Sequence, residues 1–277
     1  MKILINYADI NYSRTQKFNS LTGKYIGKFD KVISFGPNDI DSYFKEKNKH
    51  ILETKRGNGL WLWKPYFIYK TLLSCNEGDI VFYCDSGSFF VRKIDYLIDS
   101  MEQSEKIWVS DIPLLEVNFT KPDCFVKMGC DKKFFKYTNQ IQGTFFMAVC
   151  CDESKKFVEK WLELCEDYEL LSPTSSPDGL KSNQCDFLSH REDQSILSLL
   201  CKKEGIHPHL DPSNRGRYQE LYYTPNYPFI RTSHKDTYKP IVFLHKFAYV
   251  NLIGFLRIAI RMVYKKFKYK KIVSTLK

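Results

Sequence analysis

Gly78-Asp79-Ile80-Val81-Phe82-Tyr83-Cys84-Asp85-Ser86-Gly87-Ser88 is the stretch from which the rest of the chain is read. An apolar run from Ile80 to Cys84 stops at a carboxylate followed by two small residues, as when a buried strand carries an acidic side chain to the edge of a sheet. In open α/β sheets, ligands bind beyond the carboxyl ends of the strands, and Ser86 and Gly87 leave room for a bulky molecule to approach the backbone. Asp85 is therefore the first candidate for chemistry, and a carboxylate there suits a divalent cation with oxygen ligands. Asp, Ser and Gly are also ordinary turn residues, so Asp85 could simply open a turn.

Upstream, Lys2 to Tyr7 reads as a first strand and Phe29 to Phe35 as a second, the latter ending in the turn Gly36-Pro37-Asn38-Asp39. Asp39 then caps a short helix through Asn48. This β-α-β alternation predicts an α/β domain with a mainly parallel central sheet flanked by helices. Tyr7, at the end of strand one, could stack on a nucleotide base or be a plain strand end. Arg56-Gly57-Asn58-Gly59-Leu60-Trp61-Leu62-Trp63-Lys64-Pro65-Tyr66 is the densest aromatic and cationic cluster. Pro65 suits the first turn of a helix from Tyr66 to Ser74, so Lys64 falls at a helix N-terminus, where a diphosphate meets a cation, free N–H groups and a favourable dipole. Trp61 and Trp63 either wall a sugar pocket or pack in the core.

Downstream, Val91 to Ser100 reads as a helix, Lys106 to Asp111 as a strand, and Leu114 to Asn139 as irregular. Ile141 to Cys151 reads as a central strand whose Gln142-Gly143 entrance admits a substrate or forms a bulge. Asp152 to Tyr168 has the spacing of an amphipathic helix. From Ser172 to His190 periodicity is lost, and a loop of that length suggests a lid or acceptor loop. Arg191-Glu192-Asp193-Gln194 opens a helix from Ser195 to Glu204, crowding two carboxylates at its start, where they could equally serve as caps. Ile241 to Leu244 is a last short strand that delivers His245 and Lys246.

The chain of 277 residues carries 42 Lys and Arg against 32 Asp and Glu, but nine of those cations lie between residues 246 and 277 with no acid among them, leaving 33 against 32. The positive charge belongs to the tail, which argues against a nucleic-acid-binding body. The nine cysteines show neither zinc spacing nor a disulfide ladder and read as buried apolar residues of a reduced compartment. The N-terminus begins directly with a strand, too short for a signal peptide, and no uncharged apolar stretch reaches transmembrane length, so a cytoplasmic protein is expected. At about 100° per residue, Leu252, Ile253, Leu256, Ile260, Val263 and Phe267 share one face of the tail, with Arg257, Arg261, Lys265 and Lys268 beside them. That is the pattern of an interfacial helix on an anionic membrane surface. A helix docked on its own domain is the alternative.

The Gly-x-Trp-x-Trp-Lys-Pro stretch ending at Pro65, Asp85-Ser86-Gly87, Gln142-Gly143-Thr144-Phe145-Phe146, Arg191-Glu192-Asp193-Gln194-Ser195 and Leu244-His245-Lys246, in that order, resemble bacterial capsular and cell-surface polysaccharide glycosyltransferases of the GT-A fold. The resemblance runs from about Lys2 to Lys246. It implies a nucleotide-sugar-dependent catalytic domain over residues 1–246; the tail over residues 247–277 lies outside it and is expected to associate with a membrane because of its basic amphipathic pattern. By that resemblance a hexosyltransferase moves sugar from a nucleotide diphosphate sugar to a hydroxyl of a lipid-linked glycan, on the inner face of the cytoplasmic membrane. Donor binding would involve Tyr7, Trp63, Lys64, Asp85, Ser86, Gly87, Gln142, Gly143 and Lys246. Catalysis would involve Asp193, Gln142 and Glu192. Such enzymes hold Mn2+ or Mg2+ through Asp-x-Asp; here Gly87 replaces the second Asp, and by similarity to family 8 a late histidine, His245, would join Asp85 as metal ligand. Two other readings compete: a non-catalytic membrane-surface module of the same fold, and a metal-dependent nuclease using Asp85, Glu192 and Asp193, disfavoured by the near-neutral body.

Overall fold

The computed structural model describes residues 1–174, 187–225, 227–248 and 252–275. Among them nine strands form: β1 (Lys2–Tyr7), β2 (Lys31–Phe35), β3 (Ile80–Cys84), β4 (Ser88–Phe90), β5 (Ile107–Trp108), β6 (Asp111–Leu115), β7 (Asn139–Ile141), β8 (Phe145–Val149) and β9 (Val242–Leu244). The central sheet has the order β2-β1-β3-β8-β5. Strand β1 runs parallel to both neighbours, whereas β8 is antiparallel to β3 and β5. The expected α/β architecture with a mainly parallel sheet is therefore present, with one reversed strand.

Both faces of this sheet are buried, which is why its strands read as continuous apolar runs. Ile3, Ile5, Val81, Tyr83, Phe146 and Ala148 point into one core. Their chain neighbours Leu4, Phe82, Cys84, Phe145 and Met147 point into the other. Five helices of ten residues or more accompany the strands: α1 (Ser13–Thr22), α2 (Trp63–Leu73), α3 (Asp152–Glu166), α4 (Glu192–Lys203) and α5 (Leu252–Thr275). Helices α2, α3 and α4 cover the first core with Phe67, Trp161 and Leu197.

Two expectations change for physical reasons. The long strand expected from Ile141 to Cys151 is two strands, because the chain crosses between sheets at Gln142-Gly143-Thr144. There Gln142 N donates to Ser110 O at 2.9 Å, and Thr144 O accepts from Asp85 N at 3.0 Å. The helix expected over Val91 to Ser100 shrinks to Asp95–Ile98, since the amides of Val91 and Arg92 both bond Ile241 O at 2.8 and 3.2 Å and tie the bend there to the segment leading into β9. Helices α2 and α4 begin about a turn earlier than the sequence suggests, so Lys64, Glu192 and Asp193 are inside first turns. Most of the expected lid, residues 175–186 together with Cys185, lies outside the described residues. The other eight cysteines are free thiols, six of them buried.

Candidate active site

Asp85 follows directly on β3, and the alternation of the strand sets it on the same side as Tyr83, whose hydroxyl donates to Asp85 Oδ1 at 2.6 Å. The same side receives Lys64 from the first turn of α2. Its ammonium sits 3.9 Å from Asp85 Oδ1 and 2.7 Å from Asp193 Oδ2, the latter off the direction of a good hydrogen bond. Burial pushes the Asp193 carboxyl up to about 7, with Lys64 pulling it back. Burial pulls Lys64 down, but Asp193 and Asp85 outweigh it and hold its pKa above the ordinary value. Gly143 lies against this pair: a Cβ there would stand 3.2 Å from both Asp193 Oδ2 and Lys64 Nζ.

Asp85 is about one-third exposed and opens into a cavity of about 520 Å³. Its walls include Tyr7, Tyr12, Trp61 and Trp63, with Ser86 and Gly87 at the strand tip and Lys246 opposite. Tyr7 and Trp63 stack with centroids 3.8 Å apart, so Trp63 takes one face of the ring expected to meet a base. Asn58 reaches the Tyr7 hydroxyl from a turn in which Gly57, Asn58, Gly59, Leu60 and Trp61 all have positive φ. Three non-glycine residues held in the left-handed region constitute local strain of the sort that clusters at ligand sites. This turn is what aims Asn58 and Trp61 into the cavity.

The tips of β3 and β9 are knitted together. Gly87 O accepts from His245 N at 3.0 Å and from Lys246 N at 2.9 Å, and Lys246 has φ 63°. Lys246 is exposed to solvent. Crowding by protein, then the guanidinium groups of Arg215 and Arg191, lower its pKa to about 8. Beyond Lys246 lies a smaller cavity of about 270 Å³, lined by Gln142, Gln194, Tyr222, Arg191, Arg215 and Lys265 among others. Gln142 is anchored by donating to Ser110 Oγ at 2.8 Å, and Gln194 by bonding Gly143 N at 3.1 Å and Gln140 Oε1 at 2.7 Å.

The expected residues thus divide. Tyr7, Trp63, Asp85, Ser86, Gly87 and Lys246 line one cavity, and Gln142 lines the adjoining one with Lys246. Lys64 and Asp193 converge with Asp85 but lie behind the cavity wall, each spent on an ion pair. Glu192 is buried and its Oε1 accepts from Arg56 Nε at 2.5 Å. The acidic pair expected beside an acceptor hydroxyl is thereby turned inward. Asn58, Arg191 and Gln194 stood within stretches read for other residues, and Arg215 had no sequence signal beyond its residue type.

The two expected metal ligands, Asp85 and His245, line different cavities. His245 Nδ1 accepts from its own neighbour Phe247 N at 3.1 Å, which assigns the proton to Nε2 and leaves neither nitrogen with a free lone pair. Burial pushes this imidazole down to about 4. His245 lines the cavity between β9 and α5, not the one that Asp85 opens into. Among the described residues no three His, Cys, Asp or Glu side chains group so as to hold an ion. Asp85 and His245 therefore do not offer a shared set of donors to Mn2+ or Mg2+.

No protein-family model and no curated protein matches the chain. Among solved structures it is similar in form to mouse xyloside xylosyltransferase 1 in its apo form, with TM-score 0.48 and 8% identity over 89% of this chain and 98% of that one. It is also similar to the galactosyltransferase LgtC in complex with donor and acceptor sugar analogs, with TM-score 0.48 and 13% identity over 97% and 96% of the two chains. A third similarity is to the apo-form glycosyltransferase GlyE of Streptococcus pneumoniae TIGR4, with TM-score 0.43 and 11% identity over 98% and 64%.

Proposed function

We propose that the chain is a glycosyltransferase that moves a sugar from a nucleotide diphosphate sugar to a hydroxyl of a lipid-linked glycan. The observation that carries this reading is the cavity at the carboxyl ends of β1 and β3, which an accessible carboxylate, Asp85, and a solvent-exposed lysine, Lys246, line together with aromatic walls. Aromatic walls suit a base and the apolar face of a pyranose. A carboxylate orients sugar hydroxyls, and a cation suits phosphate.

In such a transfer the C1–O bond of the donor breaks with its electron pair passing to the β-phosphate oxygen, while the acceptor oxygen forms the new bond to C1 and gives up its proton. Charge builds on the departing diphosphate, so fixed cations beside it are the principal source of acceleration. Lys246 is that cation in our reading. Asp85 holds the sugar ring, and Tyr83 and Lys64 hold Asp85. Asp193 acts as a positioning residue through Lys64. Gln142 and Gln194 line the smaller cavity with Lys246 and are placed on the donor side.

The acceptor's lipid brings a membrane into the reading. Helix α5 docks on its own domain: Val273 is buried, and Tyr269 packs against Tyr223 with centroids 5.0 Å apart. Its outer side leaves Leu256, Ile260, Val263 and Phe267 exposed, Phe267 at 75%. The side chains of Leu252 and Ile253, expected on the same face, lie outside the described residues. An apolar row flanked by Arg257, Arg261 and Lys268 suits the inner surface of an anionic cytoplasmic membrane. No helix among the described residues is long and apolar enough to cross one.

The test is a panel of nucleotide sugars and nucleoside diphosphates assayed for thermal stabilisation of the full chain, since a ligand that binds only the native state raises its stability. At least one is expected to stabilise, and that donor is expected to be hydrolysed slowly without acceptor. A panel with no stabilising member overturns the reading.

A further inference from the structure

We propose that the donor's diphosphate is held by fixed cations, Lys246 with Arg215 and Arg191, and that its binding requires no divalent metal ion. This rests on reading the cleft as a nucleotide-sugar site.

The first observation concerns room. A carboxylate two residues beyond Asp85, able to share a metal ion with it, would have to sit at residue 87. A Cβ built there stands 3.1 Å from Lys246 Cα, with the backbone N and C of Lys246 at 3.5 and 3.6 Å. That backbone cannot retreat freely, because the amides of His245 and Lys246 both bond Gly87 O. The close approach that excludes a second carboxylate also sets a lysine beside Asp85. One backbone contact therefore removes a metal ligand and supplies a positive charge at the same tip of the sheet.

The second observation concerns charge. Lys246 lines the Asp85 cavity and also the smaller one beyond it, which Arg191, Arg215 and Lys265 line as well. Among the described residues no Asp or Glu lines that smaller cavity. Among the described residues Lys246, Arg191 and Arg215 form no ion pair; Arg191 stands over the Phe119 ring at 3.9 Å and Arg215 over the Tyr222 ring at 5.5 Å. Aromatic contacts orient a guanidinium without neutralising it. Like charges gathered in a recess repel one another until an anion joins them, and a diphosphate offers several charge-assisted acceptors to such a group. The carboxylates that act on these cations already have partners: Asp85 Oδ1 accepts from Tyr83 and Asp211 Oδ2 from Tyr222 at 2.7 Å, Glu116 bonds Thr120, Ser198 and Lys202, and Glu192 Oε1 accepts from Arg56.

The experiment is calorimetric titration of the full chain with UDP, GDP, CDP and ADP, each in excess EDTA and again with Mn2+. The expected result is a nucleoside diphosphate whose affinity differs by less than about twofold between the two conditions and falls steeply as salt rises. Lys246→Gln should weaken that affinity by about tenfold or more, as should Arg215→Gln, while Lys246→Arg keeps most of it because the charge stays. Far-ultraviolet circular dichroism checks that each variant is folded. Binding that appears only with Mn2+ overturns the metal-free inference and leaves the glycosyltransferase reading standing. Unchanged affinity in folded Lys246→Gln also overturns the inference. Absence of binding under both conditions overturns both readings.

Discussion

Lys64 Nζ lies 2.7 Å from Asp193 Oδ2, with side-chain exposures of only 4% and 5%. The pair ties the first turn of α2 to the first turn of α4, and together with Tyr83 it fixes the carboxylate that faces the cavity. Removing one member leaves the other charge buried alone, so Lys64→Met is expected to cost ~3–5 kcal/mol of stability. The double change Lys64→Met with Asp193→Leu should recover most of that, because two apolar side chains need no compensation. Urea unfolding of the two variants is the check. A single variant as stable as wild type would remove the pair from this role.

Two buried groups give opposite slopes with pH. The folded pKa of Asp193, about 7, exceeds its ordinary 3.8, so the folded state binds more protons between those values and the contribution of Asp193 falls as pH rises from about 4 to 7. His190 accepts from Lys121 N and bonds Leu170 O, and burial holds it down to about 3 from 6.5. Its contribution is complete above pH 6.5 and is lost as pH falls towards 3. Unfolding free energy measured from pH 4 to 7 should become flatter on the acid side in His190→Gln and rise more steeply with pH in Asp193→Asn. Parallel profiles for all three proteins would contradict both assignments.

Asp85→Asn removes charge without volume at a site that is about one-third open to water. Donor turnover is expected to fall by about 100-fold or more, on the scale of losing one group that meets the transition state. Stability should change by less than about 1 kcal/mol, since no core contact is lost. Turnover measured in the same preparation as the unfolding curve decides this; a loss below about twofold would return Asp85 to the role of a turn residue.

Gly87→Ala tests the contact between the strand tips. With Lys246 Cα 3.1 Å from the added Cβ, the pinned backbone must shift. A loss of ~1–3 kcal/mol is expected from overpacking. Nucleoside diphosphate affinity should fall with it, because Lys246 moves. Unchanged affinity would separate Lys246 from the donor site.

Ile260→Glu with Phe267→Glu places two acids on the outer row of α5 without touching the side that packs on Tyr223. The wild-type chain should float with anionic liposomes at low salt, and the variant should stay with the soluble fraction at unchanged melting temperature. Equal flotation would show that the apolar row is not the membrane contact.

The strands and the position of Asp85 were legible in the sequence because both depend on local pattern. Ile3, Ile5, Val81, Tyr83 and their alternating neighbours must be apolar throughout in a sheet covered on both faces, and an acid at the end of such a run must surface at its tip. The outer row of α5 was legible for a similar reason, since a period of 3.6 is set by the helix itself. What only the tertiary structure decided is which charges meet. Lys64 at a helix start looked free for a phosphate, but α2 and α4 both pack against α3, and this buries it with Asp193. His245 looked like a metal ligand, yet its ring is turned to the amide of Phe247. Arg215 carried no signal, because a cation in a loop reads the same whether it faces water or a cavity, and Arg191 stood in a motif read for its two acids. The composition of each segment is written along the chain, whereas the partner of each ionised group is chosen among residues brought together by the burial of others.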